Sequence, residues 1–165
     1  MIIPFAMIIA NTAFPAATGV VKCDLPATAS MTDVIDVLSH RAIDAVDRAR
    51  SRGWKDDFTL ASVVAPSADF SLGGGDVGRP LGTGVQGLRA MALNLRADSF
   101  RFSTWSGTPP PPANACSEWK MDVEFIDSKS SVTSTIKFSF RDGRIVSASG
   151  WKGFFAAGPL KEIER

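Results

Sequence analysis

His40 is the only histidine in the chain. Asp36 and Asp44 stand four residues to either side of it, a spacing that stacks all three on one face of a helix. Two carboxylates around an imidazole could hold a metal or tune an acid–base histidine. A second pattern, "GTGVQG" over Gly82–Gly87, matches the G-x-G-x-x-G that lets a backbone approach a pyrophosphate. A third is the pair Cys23 and Cys116, the only two cysteines. Neither lies in a C-x-x-C, so zinc or thioredoxin-like chemistry has no support. In an oxidising compartment the two could form one disulfide, and in a reducing one they would be separate thiols. No G-x-S-x-G is present, and one histidine does not supply a serine triad.

The elements that must carry these residues decide between the possibilities. Ser30 and Asp33 read as a capping box. The helix it opens runs to about Arg52 and stops at Gly53. Met31, Val34, Ile35, Leu38, Ala42 and Ala45 begin an apolar stripe at helical spacing. Asp36, His40 and Asp44 fall on the opposite, wet face, so the histidine is expected to point to water, and no metal is assigned. A second helix fits Lys55–Val64, ended by Pro66, and "ADFSLG" (Ala68–Gly73) reads as a short strand. Gly73–Gly84 holds six glycines in twelve residues and reads as a mobile flap. A third helix fits Val85–Leu95.

Four alternating segments follow: Asp98–Ser106, Ser117–Asp127, Val132–Phe140 and Arg144–Trp151. Short turns such as Asp142-Gly143 make them antiparallel. "TPPPPANAC" between the first two reads as a stiff hairpin loop. No buried parallel strand precedes "GTGVQG", so its glycines are assigned to the start of the helix and to close packing, and no nucleotide or other cofactor is assigned.

Composition narrows the classes further. The chain has 165 residues, 45% apolar and 21% charged, with net charge +1. That is enough for one domain with a real core, and too little charge to recruit nucleic acid. Before Lys22 no residue is charged. Met1–Ala10 is strongly apolar, too short to span a bilayer and suited to a signal-peptide core. Residues 1–19 are therefore expected to be a leader. Residues 20–165 are expected to be one exported domain, periplasmic or secreted, without a membrane span.

Helix, helix, strand, helix and four strands form an α+β order. "LASVVAPSADFSL" (Leu60–Leu72), "GVQGLRAMALNL" (Gly84–Leu95) and "FSFRDGRIVSASGW" (Phe138–Trp151) resemble segments of the nuclear transport factor 2-like superfamily. That group, of cystatin-like fold, includes SnoaL-type cyclases and ketosteroid isomerase. The resemblance implies a strongly curved, mixed, mostly antiparallel sheet wrapped around the long N-terminal helix as a cone with an apolar pocket. It implies that Phe70, Phe102, Trp105, Trp119, Met121, Phe138 and Trp151 line that pocket or its rim. It also implies a possible homodimer through the outer sheet face. The isomerase residues do not carry over. The chain has no tyrosine, and the place of that family's base falls at Leu72. Asp69, Asp122 and Arg101 are left as catalytic candidates for a SnoaL-like enzyme. The function expected first is binding of a small apolar molecule or a peptide in the cone. The alternatives are such an enzyme, or a non-catalytic interaction domain of an envelope complex.

Overall fold

A computed structural model describes residues 23–25, 29–74, 77–105 and 116–154, with the backbone alone at 74, 77 and 102–105. The leader expected over residues 1–19 and the Pro-rich stretch lie outside the described residues. Helix α1 is Met31–Arg50. Its start is the expected capping box: Ser30 and Asp33 bond reciprocally. Its stripe, from Val34 through Leu38, Ala42 and Val46 to Ala49, is buried.

The second helix is shorter than its sequence suggests. A 3-10 turn covers Trp54–Asp56, and α2 is Phe58–Val63. Asp57 divides them, because its carboxylate accepts the amides of Thr59 and Leu60 and so caps α2. Strand β1 is Val64–Gly74, starting before Pro66. β2 is Val77–Thr83, and α3 is Gly84–Leu95. β3 is Ser99–Trp105, β4 Trp119–Asp127, β5 Val132–Arg141 and β6 Arg144–Phe154.

β2 corrects the expectation of a flap. Within the glycine-rich stretch, Val77–Thr83 is a strand antiparallel to β1, with Pro80 opposite Ser71 and Arg79 opposite Leu72. It is tolerated because β2 is an edge: the sheet order is β2-β1-β6-β5-β4-β3. β1 and β6 run parallel, and the remaining neighbours are antiparallel. The fold is thus α+β, with a mixed, mostly antiparallel sheet.

Alternation along the strands defines an inner face. Trp119 lies opposite Phe140, Met121 opposite Phe138 and Val123 opposite Ile136, and all six are buried. Helices cover this face. The Ser39 hydroxyl of α1 donates to the Met121 sulfur at 3.2 Å, and a Cβ at Gly87 of α3 would collide with the Phe70 ring. Two arginines lock α1 to α3. Arg50 donates to the carbonyls of Ala92 and Ala97, and Arg89 donates to those of Ala49 and Ser51. Each satisfies carbonyls that a helix end leaves without partners.

Candidate functional site

The inner face is where the sequence placed a pocket. Phe70, Trp119 and Met121 are each 2% exposed, and Phe138 is 0%. Side chains closed to this degree pack against one another and present no surface to a ligand from outside. The backbone of Phe102 and Trp105 lies in β3, while their side chains lie outside what is described. Trp151 alternates with Gly150 and lies on the outer face, 48% exposed. Its indole covers Gly73, where any Cβ would collide with the ring. This placement differs from the inner rim position that the sequence suggested, because period two along β6 turns Trp151 outward once Ala148 and Gly150 face in.

The three catalytic candidates are also on the outer face. Asp69 is exposed and pairs in register with Ser147. Arg101 stands opposite Glu124, and the two form an ion pair. That hydrogen bond and its charge hold the guanidinium above its ordinary value. Asp122 stands opposite Lys137. Burial raises its carboxyl above the ordinary range, and the Lys137 charge offsets part of the rise. None of the three shares a site with the buried aromatic residues. On that outer face Arg101 and Asp122 lie on the neighbouring strands β3 and β4, and Asp69 lies on β1, with β6 and β5 between it and β4.

Glycine chemistry at Gly82–Gly87 is structural. Gly82 and Gly84 have φ of 116° and 58°, conformations that side chains other than glycine avoid. A Cβ at Gly84 would lie 2.9 Å from the Pro66 carbonyl oxygen, and one at Gly87 would run into that of Gly82. The motif lets β2 turn tightly into α3. A cleft of about 730 Å3 runs beside this turn, past Trp54, Lys55 and Pro66. Trp54 is already flanked there by Lys55 at 5.8 Å and Arg89 at 5.0 Å from its ring.

An open groove lies elsewhere, between α1 and α2. It measures about 440 Å3 and is walled by Asp36, His40, Asp44 and Arg48. Val37, Ala45 and Val63 give it an apolar floor. The expected wet face of α1 is therefore one wall of a groove. The His40 ring nitrogen Nδ1 is 2.9 Å from the Asp36 carbonyl oxygen and 3.3 Å from its carboxylate. Among the described residues no three His, Cys, Asp or Glu side chains converge on a metal position. Both arginines at the groove are engaged. Arg41 donates to Asp24 and to the Gly143 carbonyl, and Arg48 pairs with Asp57 at 3.2 Å. Among the described residues Asp44 has no cation within 4 Å. The sequence pointed to Asp36, His40 and Asp44 but not to Val37 or Val63. Their grouping depends on how α2 lies along α1, and Asp57 as a helix cap was the one readable signal for it.

No protein-family model matches the chain, and no curated protein matches it. Solved structures do match in shape. An NTF-2-like protein of unknown function from Silicibacter pomeroyi is 14% identical, with a TM-score of 0.48, over 76% of this chain and 100% of its own. An NTF2-like protein of unknown function from Methylobacillus flagellatus is 14% identical, with a TM-score of 0.48, over 80% of this chain and 98% of its own. A protein of unknown function with cystatin-like fold from Methylobium petroleophilum is 9% identical, with a TM-score of 0.47, over 81% and 84%. At such identities a likeness concerns backbone shape, and no residue role passes across it.

Proposed function

We propose that the chain is an exported binding domain, without chemistry of its own, that takes a small apolar molecule or a peptide segment. One observation carries this: the groups able to do acid–base or electrostatic work, Asp69, Asp122 and Arg101, stand on the outer sheet face, apart from the enclosed apolar face. Catalysis needs such groups aimed at one reacting centre. The open groove between α1 and α2 is the ligand's place under this proposal, since the inner aromatic residues are closed on each other. Export is supported by the Cys23–Cys116 disulfide, with Cα atoms 5.8 Å apart, because reducing compartments keep thiols free. Among the described residues no helix is long and apolar enough to cross a membrane.

Native mass spectrometry of protein purified with its disulfide intact tests the proposal. The expected spectrum carries a retained small molecule or peptide. The same protein is expected to turn over none of a panel of enolisable ketones, esters and epoxides. Turnover abolished by Asp69→Asn, Asp122→Asn or Arg101→Gln would replace binding with an enzyme.

A further inference from the structure

The inner face changes character at one end. From Trp119 and Phe140 to Val123 and Ile136, the rows across β4 and β5 are apolar. The next row on that face is Phe125, Ser134 and Lys152, and the last is Asp127, Val132 and Phe154. A cleft of about 250 Å3 lies at these rows, against the C-terminal end of α3. Leu93, Arg96, Asp127, Val132 and Lys152 are among its walls. Ser134 is 1% exposed, and its hydroxyl has no hydrogen-bond partner among the described residues. Folded proteins rarely leave a buried hydroxyl unbonded, so this one has a hydrogen bond to offer. It pairs in register with Lys152, which puts the two side chains next to each other on one face.

The charges at the cleft narrow the occupant. Arg96 ends α3 at φ 51° and ψ 21°, a left-handed conformation that glycine usually fills. The chain keeps a guanidinium there instead. Lys152 Nζ donates to the Asn94 carbonyl at 2.9 Å and has two further N–H groups to give. Asp127 is 8% exposed, and its carboxylate accepts the Ser130 amide at 3.2 Å. Among the described residues none of these three charges is in a salt bridge. Two cations and a carboxylate thus line one cleft without neutralising one another. An occupant that matches them carries an anionic group with a hydrogen-bond donor close by. The volume holds about eight waters at ~30 Å3 each, which keeps the occupant small. We infer that the cleft binds a small hydroxy or amino carboxylic acid. Its carboxylate is held by Arg96 and Lys152, its hydroxyl or ammonium donates to Asp127, and Ser134 adds a hydrogen bond. Leu93 and Val132 border its apolar part. This is a second site beyond the α1–α2 groove, with which it shares no wall, so either proposal can fail without the other.

An NMR titration of the whole, nitrogen-15-labelled, disulfide-bonded protein tests it with lactate, alanine, propionate and chloride at equal ionic strength. Lactate or alanine is expected to shift the amides of Arg96, Ser134 and Lys152, and the tighter of the two identifies the donor as hydroxyl or ammonium. Propionate, which lacks the donor, is expected to bind more weakly, and chloride to leave these amides in place. Arg96→Gly and Lys152→Gln should each weaken the tighter ligand by ~2–5-fold, the range of an exposed ion pair. Arg96→Gly should also raise the Tm, because glycine suits the left-handed position, so binding lost there is not fold lost. Ser134→Ala should weaken binding without lowering the Tm, because the hydroxyl has no bond inside the fold to lose. Asp127→Asn should reduce the tighter ligand to the affinity of propionate. Equal shifts with chloride would mean that the cleft reads charge alone, and they overturn the inference. So do shifts confined to other residues, no response to lactate or alanine, or binding indifferent to Arg96→Gly and Lys152→Gln.

Discussion

Asp122 shows how one carboxyl reports its surroundings. It alternates with the inward Met121 and Val123 on β4, so its outward direction was readable from period two. The sequence does not reveal that its neighbours shield it. Its Oδ1 is buried with no hydrogen-bond partner among the described residues, and burial raises its pKa from 3.8. The folded chain therefore holds this proton more readily than the unfolded chain. By linkage the contribution is favourable below the unfolded pKa and is lost as pH rises through the folded value. Asp122→Asn is expected to stabilise the protein at neutral pH by up to about 1 kcal/mol, a surface-scale effect. Urea melts at pH 7 and pH 3 should show the gain at the first and not at the second. A gain that persists at pH 3 would rule out ionisation as its cause.

At the scale of elements, β2 and α3 depend on contacts that propensity does not show. Glycine and proline are depleted in strands, so Gly73–Gly84 reads as a loop in isolation. Pairing with β1 makes Val77–Thr83 a strand, and the edge position removes the penalty for Pro80. The three glycines of "GTGVQG" then serve geometry. Gly87→Ala places a methyl against the Gly82 carbonyl and the Phe70 ring, and is expected to cost about 1–3 kcal/mol, as overpacking does. Gly53→Ala, with nothing within 4 Å of its Cβ, is the matched control and should change the denaturant midpoint little. α1 was readable almost to the residue, because capping box and stripe are local signals. α2 was misjudged in length because Asp57 caps it midway through an otherwise helical stretch.

Across the whole molecule, one end is tied together by residues far apart in sequence. Cys23 bonds Cys116 across a separation of 93 residues. The Cys116 carbonyl accepts the Asp142 amide at 2.9 Å, and Asp142-Gly143 is the β5–β6 turn with positive φ at both residues. Arg41 of α1 then joins Gly143 to Asp24, next to Cys23. A bond closing so long a loop restricts the unfolded chain strongly. Removing it with Cys23→Ser and Cys116→Ser is expected to cost about 2–5 kcal/mol. Thermal melts of this variant and of the native protein, the latter with and without reductant, check this. Reductant should bring the native Tm down to that of the variant.

The sequence by itself determined the α+β order, the start of α1, the last four strands and which side of β4 and β5 is apolar. These follow from capping and from periods of 3.6 and 2, which are set by neighbours a few residues away. It also narrowed the disulfide to one possible pair, with free thiols as the other outcome. Only the tertiary structure decided that Trp151 faces outward and that Asp69 and Arg101 stand apart from the aromatic core. It alone made β2 a strand and laid α2 beside α1 to form a groove along Asp36, His40 and Asp44. Each of those outcomes depends on register and packing between segments distant in the chain, which no local pattern encodes. "FSFRDGRIVSASGW" was legible as a hairpin for the same reason that its bulge was not. The turn is local, whereas the register shift between Ser139 and Phe140 arises from how β6 pairs across β5.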